Sequence, residues 1–117
     1  MPPQGGVITL FEDVGRTHGR LDILFLNAGI AKFAPLTDSS DAMFDETIQV
    51  NLKGPFAALR AALPLLRNGA SVIFNTTAAT ERGLATASVY SASKPRWLRS
   101  RWSRPSSWRP GAYASTA

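Results

Sequence analysis

The sequence predicts an α/β fold in which a parallel sheet is covered by helices on both sides. Helical and strand-like patterns alternate along the chain in the order helix, strand, helix, strand, helix. Both strand-like runs are too apolar to have a face in water, which is typical of strands buried in a parallel sheet. At 117 residues the chain is long enough for one domain with a modest core.

The first helix and the first strand are predicted within the first 26 residues. Apolar residues three and four positions apart favour an amphipathic helix over residues 7–18, and Gly19 is a suitable stop for it. The short apolar run at residues 22–26 predicts a buried strand, which ends in the tight turn Asn27-Ala28-Gly29.

A long helix and a second buried strand follow. Apolar residues recur at helical intervals over about 41–67, and a kink is expected at Gly54-Pro55 because proline removes a backbone hydrogen bond. One of the polar residues 38–40 is predicted to cap the start of this helix, and Asn68-Gly69 to end it. The apolar run at residues 71–75 predicts the second strand.

The excess of basic charge is confined to the end of the sequence. The net charge is +5, but residues 1–94 hold eight basic and eight acidic side chains, whereas residues 95–117 hold five arginines, all three tryptophans and no acid. So abrupt a change predicts a partial domain at residues 1–94 and an irregular basic tail at residues 95–117. No cysteine is present, which excludes disulfides, thiol catalysis and cysteine-based metal sites, and no metal site is predicted. Because no apolar run could span a membrane and no signal core is visible, a cytoplasmic protein is expected.

Four sequence elements carry residues that could take part in catalysis or ligand binding. Tyr90 and Lys94 are four apart, so on a helix they would share a face, and an ammonium beside a phenol makes tyrosine usable as a general acid or base. Thr77 follows the second strand, where its hydroxyl could polarise a substrate oxygen. Asn51 lies beside the helix kink, and Asn27-Ala28-Gly29 lies at the carboxyl end of the first strand, where open α/β sheets bind ligands.

Together these residues resemble the classical short-chain dehydrogenases/reductases. Leu26-Asn27-Ala28-Gly29 is similar to the family's Asn-Asn-Ala-Gly motif with leucine in the first place, and Val50-Asn51-Leu52-Lys53-Gly54 is similar to the segment that bears the family's helix asparagine. Thr77 stands in the place of the catalytic serine, and Tyr90 and Lys94 match the Tyr-x-x-x-Lys pair. The resemblance covers about residues 7–94 and implies a partial Rossmann-like sheet, a fragment of a doubly wound fold.

The resemblance implies an NAD(P)-dependent oxidoreductase that interconverts an alcohol and a carbonyl. Tyr90 would be the proton donor and acceptor, and Lys94 would bind the nicotinamide ribose and tune Tyr90. Thr77 would orient the substrate, although its β-branch restricts the rotamer and leaves a purely structural loop role open. Asn51 would help to complete a proton relay through water, and Asn27, Ala28 and Gly29 would bind the cofactor. The expected partner is a small alcohol or carbonyl compound; the choice of NAD or NADP and a homo-oligomer of the family type stay open.

Two departures from the family limit this interpretation. The sequence has no Thr-Gly-x-x-x-Gly-x-Gly turn, the motif that cradles the cofactor pyrophosphate, so the front half of the family fold is expected to be missing. After Lys94 the resemblance stops, and Pro95 disfavours helical geometry there. When the tail is back-translated with GC-biased codons and one base is inserted after the codon of Lys94, the new reading frame encodes a continuation that resembles the family. A frameshifted, poorly packed tail is therefore predicted, and the isolated chain is expected to be inactive.

Two other functions are open at this point. The chain could be a non-enzymatic gene remnant, marginally stable and prone to aggregate through an exposed sheet edge. It could also be a nucleic-acid-binding module whose tail arginines contact phosphates and whose tryptophans stack on bases. A frameshift would produce the same tail residues without any selection for nucleic-acid binding. This last function therefore has the least support of the three.

Overall fold

The computed structural model describes residues 4–75, 85–94 and 114–116. In chain order the elements are α1 (Gln4–His18), β1 (Leu21–Leu26), a 3-10 turn (Leu36–Asp38), α2 (Asp41–Ile48), a π-helical turn (Gln49–Lys53), α3 (Gly54–Ala62), a 3-10 turn (Leu63–Leu65), β2 (Leu66–Asn75), α4 (Ser88–Ser93) and β3 (Ala114–Thr116). The predicted alternation of helices and strands is confirmed, with β3 as an additional element.

α1 ends and β1 begins at a short turn that depends on Gly19. The backbone of Gly19 has a φ of +74°, in the left-handed region that favours glycine, and its N–H donates to the carbonyl of Gly15 at 2.9 Å. The helix predicted over residues 7–18 and the strand predicted over residues 22–26 are both confirmed, and each begins slightly earlier than predicted.

The predicted long helix is a continuous run of helical segments from Asp41 to Leu65. Ser40 caps its start, because the N–H of Met43 donates to Ser40 Oγ at 3.1 Å. The sequence predicts a kink at Gly54-Pro55. The irregular part of the helix is the π-helical turn Gln49–Lys53, which lies directly before Gly54-Pro55.

The predicted end of this helix at Asn68-Gly69 is wrong. Pro64 has no N–H with which to continue the helical hydrogen bonds, so the chain tightens into a 3-10 turn and becomes extended at Leu66, with φ −73° and ψ 121°. The second strand therefore begins at Leu66 instead of Ser71, and Asn68-Gly69 lies inside it.

β1 and β2 form a parallel pair whose register is interrupted once. The pairs run from Ile23 with Ser71 to Leu26 with Phe74, while Leu21 pairs with Leu66. The extra residues of β2 bulge out between these pairs, and Gly69 accommodates the bulge with a φ of +85°. The strand predicted at residues 71–75 is thus confirmed as the paired part of a longer strand.

β3 pairs in parallel with the other edge of β2, which gives the strand order β1-β2-β3. The prediction that the whole tail is irregular is wrong for Ala114–Thr116, because β2 presents an unpaired edge to which an extended segment can bond. The rest of the tail, including its tryptophans and arginines, lies outside the described residues, as do the predicted frameshift region and Thr77.

The described core lies on one face of the sheet only. It joins apolar side chains of α1, α3, β1 and β2: Val7, Phe11, Leu24, Ala58, Leu59, Ala62, Leu66, Ala70, Val72 and Phe74. On the opposite face of β1, Ile23 is 66% and Phe25 56% exposed. The expectation that the sheet is covered on both sides is therefore wrong for β1 within the described residues, since no described helix packs over Ile23 and Phe25.

The uncovered face of β1 should cause self-association that one charge can suppress. Phe25 also lines an apolar groove of about 330 Å³ between α1 and the free edge of β1, so two copies can bury it against each other. We expect Phe25→Lys to shift the chain toward monomer in sedimentation velocity, with stability within about 1 kcal/mol of wild type because the side chain is exposed. Leu36→Lys is the matched control, since Leu36 is 70% exposed but lies in the 3-10 turn rather than on β1. An equal shift with Leu36→Lys would show that added charge alone is responsible.

Candidate active site

The carboxyl ends of β1 and β2 lie side by side and are linked by two asparagines. Asn75, the last residue of β2, donates from Nδ2 to Oδ1 of Asn27 at 2.6 Å. This contact holds Asn27-Ala28-Gly29, the predicted cofactor-binding segment, at the carboxyl edge of the parallel sheet. In open α/β sheets this edge is where ligands bind.

The buried side chain of Asn51 connects three parts of the chain through hydrogen bonds. Its side chain is 1% exposed and lies in the π-helical turn. The N–H of Ile30 donates to Asn51 Oδ1 at 2.8 Å, and Asn51 Nδ2 donates to the carbonyl of Ile30 at 2.7 Å. Nδ2 also donates to Oγ of Ser93 at 2.8 Å. The amide thus joins the loop that follows β1 to the end of α4.

Both N–H groups of the Asn51 side chain donate, and its oxygen accepts one hydrogen bond. Both N–H groups and the oxygen have protein partners, as buried polar groups require. The side chain therefore holds the loop after β1 and the end of α4 together.

The backbone carbonyl of Asn51 is a separate group. Pro55 lies four residues further on and has no N–H, so it cannot donate to this carbonyl.

α4 carries Tyr90 and ends one residue before Lys94. Lys94 has φ −81° and ψ 129°, an extended conformation, as predicted from the proline that follows it. Lys94 Nζ nevertheless lies 5.5 Å from the centroid of the Tyr90 ring, within cation–π range. Phe33 packs edge-on against Tyr90, with the ring centroids 5.5 Å apart and an interplanar angle of 64°.

Lys94 is a buried cation that points back toward the loop after β1. It is 7% exposed. A Cβ built on Gly29 would lie 2.9 Å from Lys94 Nζ and 3.2 Å from Asn51 Oδ1. Glycine at position 29 therefore leaves room for the ammonium. Within residues 4–75, 85–94 and 114–116, Lys94 Nζ has no hydrogen bond or ion pair.

The structure thus brings together Gly29, Asn51, Tyr90 and Lys94. Sequence reasoning missed Ser93, which is fully buried between Asn51 and Tyr90. Ser93 lies inside the Tyr90-Ser-Ala-Ser-Lys94 motif, but the spacing of that motif points only to its first and last residues.

The described residues contain neither a helix that could span a membrane nor a cluster of metal-ligating side chains. In the part of the chain that the structure describes, no helix combines the length and apolar character needed to cross a bilayer. The same residues contain no group of three or more His, Asp or Glu side chains that could hold a metal ion. Lys32 forms an ion pair with Glu46 on the surface, where both side chains are about half exposed.

Known proteins match this chain both in sequence and in fold. A family profile described as enoyl-(acyl carrier protein) reductase matches residues 4–99. An uncharacterized oxidoreductase from Thermotoga maritima is 41% identical over 84 residues, which are 70% of this chain and 34% of that protein. Versicolorin reductase 1 from Aspergillus parasiticus is 36% identical over 86 residues, 73% of this chain and 33% of that protein. The chain therefore spans about a third of the length of the curated relatives that it matches.

Solved structures also match this chain. A short-chain dehydrogenase/reductase of Brucella melitensis, described as glucose/ribitol dehydrogenase, superposes with a TM-score of 0.75 and 29% identity over 79% of this chain and 39% of that protein. A short-chain dehydrogenase from Burkholderia cenocepacia, solved in complex with NADP, gives a TM-score of 0.74 and 31% identity over 79% of this chain and 38% of that protein.

Proposed function

The chain belongs to the short-chain dehydrogenase/reductase family, and on that premise we propose that it carries the catalytic residues of an NAD(P)-dependent oxidoreductase. The reaction would interconvert an alcohol and a carbonyl. The observation that carries the proposal is Lys94, a buried ammonium with no hydrogen-bond partner among the described residues, beside Gly29 and the Tyr90 ring.

The residues around Lys94 fit the nicotinamide–ribose end of such a cofactor. A buried ammonium has up to three N–H donors to satisfy, and the vicinal hydroxyls of a ribose are suitable acceptors. Gly29 lacks a side chain that would compete for this space. Lys94 and the segment Asn27-Ala28-Gly29 would hold this end, and the bound cofactor would supply the hydride acceptor or donor. For the pyrophosphate end the fit fails, because the sequence contains no glycine-rich turn of the required pattern.

Tyr90 is the proposed proton donor and acceptor at the substrate oxygen. Its ring contacts both Phe33 and Lys94, and these two contacts restrict how the phenol can turn. Thr77 is proposed to orient the same oxygen through its hydroxyl. For Asn51 we propose that a relay through water uses the backbone carbonyl, to which Pro55 cannot donate, because the side chain is already committed to Ile30 and Ser93.

The substrate class follows from this set of groups. A phenol that exchanges one proton, together with a cofactor that exchanges a hydride, suits a small secondary alcohol or its ketone. Versicolorin reductase 1 and sepiapterin reductase are among the similar proteins that are named as reductases. We therefore propose a small-molecule carbonyl or alcohol as the substrate.

Binding of reduced nicotinamide mononucleotide to the 117-residue chain tests the proposal without the pyrophosphate end. This probe keeps the nicotinamide and its ribose and can be followed by its own fluorescence. We expect weak saturable binding, and Lys94→Met should weaken it roughly tenfold or more because a hydrogen bond to a charged group is worth about 1.5–3 kcal/mol.

Two variants serve as controls for this titration. Lys53→Met removes an exposed lysine and should bind the probe as the wild type does, and Tyr90→Phe should also keep binding because it removes only the phenolic O–H. Unchanged affinity in Lys94→Met would contradict the assigned role of Lys94. Absence of any binding in a folded wild-type chain would favour the non-enzymatic remnant.

A further inference from the structure

We propose that Ser93 is the positioning residue for Lys94. Ser93 is fully buried, and its hydroxyl has two partners. Oγ donates to the carbonyl of Tyr90 at 2.6 Å and accepts from Asn51 Nδ2 at 2.8 Å. The structural part of this inference stands on these contacts, and its meaning for cofactor binding rests on the function proposed above.

Lys94 needs such a residue because the helix no longer places it. In a continuous helix, a lysine four positions after a tyrosine is held beside it by helical geometry. Here α4 ends at Ser93, and Lys94 is extended because Pro95 follows it. The N–H of Lys94 lies 3.4 Å from the carbonyl of Ser91, the long end of the range for a hydrogen bond. The last residue fixed by the helix is therefore Ser93.

The contacts of Ser93 set the spacing between α4 and the loop after β1. Asn51 is bonded to both backbone groups of Ile30 and, through the same amide, to Ser93. This chain of bonds ties the start of Lys94 to the loop that contains Gly29. Lys94 Nζ lies against this loop, 2.9 Å from where a Cβ of Gly29 would be.

Removing the hydroxyl should release Lys94 while the sheet stays intact. In Ser93→Ala, one N–H of the buried Asn51 amide loses its acceptor, which is unfavourable, so the amide or the end of α4 must turn to recover a partner. Either movement changes where the backbone leaves the helix. The Lys94 ammonium should then move away from the Tyr90 ring.

Carbon-13 labelling of the lysines measures this displacement in the full chain. The sequence has three lysines, and Lys32, which is paired with Glu46, and Lys53 are both exposed, so they provide internal references for lysines at the surface. In the wild type the ring current of Tyr90 should displace the ε-methylene signal of Lys94 upfield from both references. In Ser93→Ala we expect this displacement to be lost, with amide exchange of the β2 residues Val72 and Phe74 unchanged.

Ser88→Ala is the matched control, because it removes an exposed hydroxyl from the same helix. It should keep the upfield Lys94 signal, and so should Ser93→Thr, which retains a hydroxyl and carries the test if the alanine variant does not fold. An unchanged Lys94 signal in folded Ser93→Ala, or its loss in folded Ser93→Thr, would overturn the proposal. The readout needs no cofactor, so a wild-type chain that fails to bind the mononucleotide rejects the proposed function and leaves the role of Ser93 to be decided by the lysine spectra.

Discussion

The 117-residue polypeptide, assayed by itself, should form neither NADH nor NADPH from secondary alcohols. Hydride transfer requires the nicotinamide ring to be held against the substrate carbon, and this positioning supplies much of the rate. Lys94 and the Asn27-Ala28-Gly29 segment can hold only one end of the cofactor, because the sequence has no glycine-rich pyrophosphate turn. Tyr90 can move a proton but has no positioned hydride partner.

A spectrophotometric assay over a panel of secondary alcohols measures this directly. The comparison is a chimera in which residues 4–94 replace the matching region of the Thermotoga maritima oxidoreductase, so that the relative supplies the segments on both sides. Activity confined to the chimera, and abolished there by Tyr90→Phe, is the expected result. Turnover by the 117-residue chain, lost on Tyr90→Phe, would contradict it.

Local chemistry explains which features the sequence predicts well. The helix end at Gly19, the helix cap within residues 38–40 and the non-helical conformation of Lys94 before Pro95 each depend on one residue and its chain neighbours. Such preferences hold wherever the segment lies in the fold. They therefore appear in the structure where the sequence predicts them.

The features that the sequence does not predict depend on contacts between distant residues. The early start of β2 at Leu66 requires pairing with Leu21, and the β3 strand requires the free edge of β2. Ser93 meets Asn51 across 42 positions of sequence, and no spacing rule connects them. The order of the site residues is thus legible in the sequence, but the hydrogen bonds that hold them become visible only when the chain is folded.

Asn51→Ala should destabilise the fold more than any other single substitution in the candidate site. The substitution removes three hydrogen bonds that connect Ile30, the π-helical turn and Ser93, at a side chain that is 1% exposed. It leaves the N–H and carbonyl of Ile30 without their partner, and each unsatisfied buried group costs about 1–3 kcal/mol, so a loss of roughly 3 kcal/mol is expected after partial rearrangement. Against a total free energy of unfolding of about 5–15 kcal/mol for a small domain, this loss is a large fraction.

Urea denaturation followed by circular dichroism measures the change in the free energy of unfolding. Asn68→Ala is the matched control, because Asn68 is exposed in the β2 bulge. Equal midpoints for the two variants would show that water replaces the Asn51 hydrogen bonds at little cost, and that the loop after β1 and α4 are held together by other contacts.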